Sequence, residues 1–198
     1  MPKFVRQWMP AAAIWPATVV LLVGAVMCRG VPTHALEPSV VGGCHIGAEV
    51  PTFYLREVVG PRPNLALCLV CRYGSRPVVL ISARTFNESI ARLIERIDRT
   101  VDAHRGQGLR GFAMFVDQDP RQVQPQLATL ARQRNITLPL TIPVEVSGPR
   151  TMDLPREADV TVIIYRGRRV AQRYLLDSAE LTDEAIAAVA DAAIDLAR

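Results

Sequence analysis

The sequence predicts a single α/β domain: a mixed sheet with helices on both faces and a β-hairpin extension at its N-terminal end. Three observations predict it. Two continuous apolar runs of strand length, residues 78–83 and 112–116, are separated by a segment with the apolar spacing of an amphipathic helix, as in a parallel strand–helix–strand unit. Two later runs rich in β-branched residues flank Arg166-Gly167-Arg168-Arg169, a hairpin turn that adds antiparallel strands. The chain of 198 residues, 49% of them hydrophobic, is long enough to bury one sizeable core and too short for two.

The elements follow in order. Residues 1–35 read as an export signal: Lys3 and Arg6 precede an apolar run over residues 11–27, broken only by Pro16 and Thr18, and Thr33-His34-Ala35 offers small residues before a cut. The run is shorter than the ~20 apolar residues of a spanning helix. The expectation is an exported protein, periplasmic or extracellular, and membrane-anchored only if the leader stays uncleaved. Cys28 belongs to the leader, because Met27 before it is too large for a lipid-attachment signal. Residues 36–52, rich in Gly, Pro and small side chains, read as a tail, and residues 53–198 as the domain.

Within the domain, residues 53–59 form a first strand, Gly60-Pro61-Arg62-Pro63-Asn64 turns it, and residues 65–70 return as its partner. The turn Tyr73-Gly74-Ser75-Arg76-Pro77 leads into the buried central strand 78–83. Thr85 and Glu88 have capping-box spacing for a long helix. Its apolar face carries Ile90, Leu93, Ile94, Ile97 and Val101, and Gly106-Gln107-Gly108 ends it. Strand 112–116 closes in Asp117-Gln118-Asp119-Pro120, and a second helix is built on Val123, Leu127, Leu130 and Ala131. Residues 136–157, punctuated by Pro139, Pro143, Pro149 and Pro155, are expected to be extended and irregular. Strands 160–165 and 170–175 form the late hairpin, and Thr182 caps a last helix whose apolar face holds Ile186, Val189, Ala193 and Ile194.

Charge narrows the function classes. The formal net charge is +4, and the leader holds Lys3, Arg6 and Arg29 with no Asp or Glu, so most of the excess belongs to the leader. A nucleic-acid partner is therefore not expected. Lys3 is the only lysine. Without it the exported chain has no Schiff-base lysine, no lysine-anchored cofactor and no phosphate loop ending in Gly-Lys.

The stretch Ile46-Gly47-Ala48-Glu49-Val50-Pro51-Thr52-Phe53-Tyr54-Leu55 with Gly60, the lead Gly74-Ser75-Arg76-Pro77-Val78-Val79-Leu80, the acidic end of strand 112–119 and the hairpin 160–170 carry a resemblance. Over residues 46–198 the sequence resembles the redoxin branch of the thioredoxin-like superfamily, which includes exported thiol–disulfide proteins and peroxiredoxins. The resemblance implies a thioredoxin-like fold. It also implies a reactive cysteine just after the first central strand, where a helix N-terminus lowers a thiol pKa, and a cis-proline before the late strand. Arg84-Thr85-Phe86-Asn87-Glu88 and Ala158-Asp159-Val160-Thr161 occupy those two places, without cysteine and without proline. The usual reaction is not expected there.

Any chemistry then falls to Cys68-Leu69-Val70-Cys71. The pair precedes the central strand and is expected near the opposite end of the sheet, roughly 20 Å away at ~3.3 Å per residue. Three readings stand. In the first, Cys68 and Cys71 are the catalytic pair of a thiol–disulfide oxidoreductase acting on protein thiols and disulfides, Cys68 being the more exposed attacker and Cys71 the resolver. In the second, Cys44, His45, Cys68 and Cys71 supply a zinc site; haem is excluded because Arg72, not His, follows the pair. In the third, the protein is a non-enzymatic binding or structural module whose cysteines form a stabilising disulfide, with Cys44 spare or tied to one of the pair. No other cofactor is expected. His104 reads as a cation at a helix C-terminus, Asp117 and Asp119 as helix caps, Asn87 and Asn135 as helix-boundary residues despite their glycosylation sequons, and Arg166, Arg168 and Arg169 as a solvated turn.

Overall fold

Seven consecutive residues of Pro77–Ala83 (β3) are buried, and the rest of the domain is arranged around that strand. A computed structural model describes residues 44–145 and 152–198, all within the unit Leu36–Arg198. The leader and the first part of the tail lie outside the described residues. The other strands are β1 (Leu55–Val59), β2 (Ala66–Leu67), β4 (Arg110–Phe115), β5 (Leu140–Pro143), β6 (Val160–Arg166) and β7 (Arg169–Leu176). They form one sheet in the order β2-β1-β5-β4-β3-β6-β7. β3, β4 and β5 run parallel, and β6 lies antiparallel to β3 along its whole length, from Pro77↔Arg166 to Ala83↔Val160.

Because side chains alternate across a strand, β3 feeds two cores. Val79, Ile81 and Ala83 point to one face and Val78 and Leu80 to the other, with Ala113 and Phe115 against Phe112 and Met114 repeating the division on β4. The steps from β3 to β4 and from β4 to β5 go the same way across the sheet. Right-handed crossovers therefore place both connecting helices, α2 (Glu88–Ala103) and α3 (Pro120–Arg134), on one face. The C-terminal helix α4 (Asp183–Ala197) packs beside α2 on that same face. Among the described residues the one helix on the other face is the five-residue α1 (Leu69–Tyr73), which packs there with Cys44, Val50 and Met152. Helices thus lie on both faces, as the sequence predicts, but three long ones crowd onto one of them.

Several local expectations change. Residues 136–157 contain β5, whose four residues, Leu140–Pro143, are all buried; a run so short, preceded by Pro139 and ending in Pro143, has no readable period. The cap of α2 is Asn87, not Thr85: its Oδ1 accepts from the Ile90 amide at 3.0 Å, so the start of the helix lies two residues later than the Thr85–Glu88 box implies. From Cys44 onward the expected tail belongs to the fold. Gly47 and Val50 donate backbone hydrogen bonds to Val170 and Arg168, at 2.8 and 2.6 Å, and both Cys44 and Val50 are buried. The hairpin arginines hold this segment down: Arg168 pairs with Glu49 at 2.8 Å, and Arg169 donates to the Gly47 carbonyl at 2.8 Å. They are therefore not merely a solvated turn. The turn itself has positive φ at Gly167 (57°) and Arg168 (64°), as a tight hairpin turn requires.

Asp98, buried on α2, accepts from the amides of Thr137 and Leu138 and from the Thr137 hydroxyl at 2.7–3.0 Å, fixing the entry into β5. Replacing Asp98 by Ala leaves the buried Leu138 amide unmet, while the donors of the exposed Thr137 turn to water. The expected cost is about 2 kcal/mol, given that an unsatisfied buried group costs roughly 1–3 kcal/mol; the urea unfolding midpoint of the full chain measures it.

Candidate functional site

The chain leaves β2 at Leu67 and turns at Cys68 into α1. Cys68 is the N-cap: its backbone is extended (φ −94°, ψ 101°), and its Sγ accepts the Cys71 N–H at 3.1 Å. One helical turn brings positions i and i+3 together, so the Cα atoms lie 5.3 Å apart and the two sulfurs form a disulfide. The strand expected over residues 65–70 would hold those Cα atoms ~10 Å apart at ~3.3 Å per residue, too far to bridge. The returning strand accordingly shortens to two residues.

Leu69 and Val70 are buried and seat α1 on the second core, while Cys71 and Arg72 face solvent and Cys68 is half-buried. Cys71, not Cys68 as expected, is the more exposed of the two, because the cap position turns the first cysteine back towards its own helix. Tyr73 completes the seat. Its ring packs against Phe112 with centroids 6.1 Å apart, and its hydroxyl donates to the Gly111 carbonyl at 3.3 Å. Burial, aided by the Glu57 carboxylate, pushes the phenol up to about 12, so Tyr73 stays neutral and acts as an anchor.

Leu67, just before Cys68, pairs with Leu55, which pairs with Pro143 at the C-terminal end of β5, so Cys68 leaves the sheet where the parallel strands finish, and α1 runs from there to Tyr73, beside Gly111 near the start of β4; the β3–α2 junction lies four strands across the sheet from β2. At that far junction Arg84 donates to the carbonyls of Leu154 and Pro155, at 3.0 and 3.1 Å, and pairs with Asp117. Asp159 accepts from the Ser178 hydroxyl at 2.6 Å, and Ser178 in turn accepts from the Asn87 amide at 2.7 Å. The Ser178 hydroxyl, together with the Ser178 backbone amide that donates to the same carboxylate at 3.0 Å, holds the Asp159 carboxyl below its usual range. The Thr85 hydroxyl is buried there with no hydrogen-bond partner among the described residues. A cavity of about 690 Å³ opens beside Leu154, Pro155, Arg156, Glu157 and Leu175. Among the described residues no peptide bond is cis. Asp119 caps α3 through the Arg121 amide at 2.9 Å, Asn135 ends that helix at φ 52°, and the His104 ring Nδ1 lies 2.9 Å from the Thr100 carbonyl at the end of α2. All three are boundary residues, as expected.

Cys44 stands apart from the disulfide. It is the free thiol among the described residues, 2% exposed, and burial pushes it up to about 11 while the Arg173 guanidinium pulls weakly the other way. The four donors proposed for zinc are not assembled: Cys68 and Cys71 are bonded to each other, and among the described residues no three His, Cys, Asp or Glu side chains converge as a metal would need.

Comparison with known proteins agrees with this architecture. No protein-family model matches the chain, and no curated protein matches it. Solved structures do. A protein described as a thiol:disulfide interchange protein DsbE from Chlorobium tepidum aligns at 14% identity and a TM-score of 0.58, over 77% of this chain and 99% of that one. Plasmodium vivax 2-Cys peroxiredoxin aligns at 18% identity and 0.58, over 76% and 82%. The peroxidoxin BcpB from Mycobacterium tuberculosis aligns at 17% and 0.55, over 75% and 98%. The fold is the thioredoxin-like fold of the redoxins.

Two outcomes follow from the cysteine environments. Cys44 holds its proton more tightly folded than unfolded, so its contribution to stability is full below the ordinary thiol value of 9.0 and is lost as pH rises towards about 11. In the native chain at pH 8, Cys44 should resist iodoacetamide while Cys71, once reduced, is alkylated; peptide mapping by mass spectrometry reads both sites. Reducing the Cys68–Cys71 bond should lower stability by about 2 kcal/mol, the chain-entropy value for so short a loop, measured as the unfolding midpoint with and without reductant.

Proposed function

We propose that this protein is an exported thiol–disulfide oxidoreductase that exchanges with protein thiols and disulfides through Cys68 and Cys71. One observation carries the reading: a surface disulfide whose exposed half, Cys71, is open to attack while the other half is held as a leaving group. A partner thiolate attacks Cys71 Sγ; the new bond forms there, the Cys68–Cys71 bond breaks, and the electron pair leaves on Cys68 Sγ. The Cys71 N–H already points at that sulfur at 3.1 Å and stabilises the thiolate as it forms. A second partner thiolate then attacks the partner's own sulfur and releases Cys71. The partner gains a disulfide, the pair gains two electrons, and the protons of the partner thiols pass to water or to the new thiolates. In reverse, Cys71 opens a partner disulfide and Cys68 resolves it. The signal-like leader supports export into an oxidising compartment, where both directions have substrates. The fold shared with a DsbE-type protein supports the same class of reaction.

The test is reduction of insulin disulfides and trapping of the intermediate. Cys71→Ser should lower the rate by at least about 100-fold, as loss of an attacking thiol does. Cys68→Ser should accumulate a mixed disulfide on Cys71, visible by intact mass. Trapping on Cys68 in the Cys71→Ser variant instead would reverse the roles. A wild-type chain that reduces no model disulfide would leave the bond as a structural staple of α1.

A further inference from the structure

We infer that the surface around Cys71 selects acidic polypeptides as its exchange partners; the inference names the substrate class of the proposed exchange reaction and takes its role from that reading. Arginines gather around the end of α1 that follows Cys71, where the Tyr73 hydroxyl meets the Gly111 carbonyl near the start of β4. Arg72 follows Cys71 on α1, and Arg76, whose amide donates to the Tyr73 carbonyl at 3.2 Å, immediately precedes β3. Arg110 opens β4 opposite Val78, and Arg166 ends β6 opposite Pro77, so the two flank the start of β3. Arg105 lies in the 3-10 turn Arg105–Gln107 after α2. The Arg72–Arg76 segment, the Arg105–Arg110 segment and Arg166 are far apart in the chain and are brought to this end by the fold.

The helix ends account for part of this cluster. α2 and α4 both finish at this end, and the partial negative charge of a helix C-terminus favours cations. Arg110 donates to the Arg105 carbonyl at 3.1 Å, and Arg166 donates to the Leu196 carbonyl. Arg105 also pairs with Asp102, at 3.3 Å. The Glu57 carboxylate near Tyr73 is buried and accepts the Arg62 amide, so it faces no arginine of the group. Arg72 and Arg76 are exposed and have no ion pair among the described residues, and they are the two nearest Cys71 in the chain. Burial first, and then the charges of Arg76 and Arg105, lower the Arg110 pKa. Self-repulsion of this kind is relieved by an anionic partner. Carboxylates flanking a cysteine or disulfide in an extended peptide would meet Arg72 and Arg76 as their sulfur meets Cys71, which raises the encounter rate and sets the approach. The net charge of the whole chain is only +4, much of it in the leader, so this concentration comes from placement and not from composition.

The experiment uses the full chain and three fluorescent ten-residue peptides without cysteine, Glu/Asp-rich, Ser/Gly-rich and Lys-rich, in anisotropy titrations at low and high salt. The same three sequences carrying one cysteine as a mixed disulfide then report exchange. The acidic peptide should bind at least about tenfold more tightly than the neutral one at low salt, with the difference shrinking as the Debye length falls below ~10 Å above 0.1 M. Arg72→Gln with Arg76→Gln, both exposed and checked for folding by circular dichroism, should lower the acidic-to-neutral ratio several-fold in both binding and exchange. Equal binding of the three peptides overturns the inference. So does an oligonucleotide of matched charge binding as tightly as the acidic peptide, which marks a surface indifferent to the kind of polyanion. Exchange with all three peptides at equal rates removes the acidic preference and leaves the exchange reaction standing. Binding of the acidic peptide with no exchange by any of them removes the reaction and leaves the surface standing.

Discussion

Burial of β3 on both faces, and the direction in which that strand runs, decide where everything else lies. A strand with no solvent face cannot slip by one residue without moving its whole apolar set to the wrong core. Its pairing with β4 and with β6 is therefore held over the full length of the strand. The two parallel steps that follow it go the same way across the sheet, which forces α2 and α3 to a common face. The opposite face is left to α1 and the segment from Cys44 to Val50. The same direction gives the domain two unlike ends. One gathers the N-termini of α2, α3 and α4 with the capping residues Asn87, Asp119 and Thr182. The other gathers the C-termini of α2 and α4 and the start of β3, flanked by Arg110 and Arg166.

The Cys68–Cys71 bond depends on a single helical turn. An extended backbone would separate Cys68 from Cys71; the turn of α1 brings them together, points the Cys71 amide at the Cys68 sulfur and leaves Cys71 outside. Leu69 and Val70, the two residues between the cysteines, are what hold that turn to the sheet. A CxxC pair placed before the central strand instead of after it thus regains a helical cap, although α1 is too short for much of a dipole and a specific hydrogen bond does the work. The residues between β3 and α2 are occupied with structure: Arg84 ties the strand end to Leu154, Pro155 and Asp117, and Asn87 caps α2.

Much of the fold was legible because its signals are local. The apolar runs of β3 and β4, the helical spacing of Ile90, Leu93, Ile94 and Ile97, the turn at Gly167 and the cap at Thr182 each lie within a few residues and each appears where expected. β5 was not legible, because four buried residues that follow one proline and end in another have no period. The capping residue of α2 was misplaced because Thr85 and Asn87 both carry capping chemistry, and only the backbone shows which one precedes the first turn. The clamp that Arg168 and Arg169 place on Gly47 and Glu49 spans some 120 positions, so no local pattern announces it. The same is true of Arg173 beside Cys44.

The sequence by itself determined the class of fold, the position of the cysteine pair before the central strand and the residues standing at the β3–α2 junction, since these follow from pattern and order along the chain. Only the tertiary structure decided that Cys68 and Cys71 are joined, that Cys71 is the exposed member, that Cys44 is buried and not bonded to them, and that arginines from separate elements meet at the end of the sheet where β3 begins. Those facts depend on which faces and ends are brought together. That is a property of strand register and crossover direction, which a linear pattern constrains and does not contain.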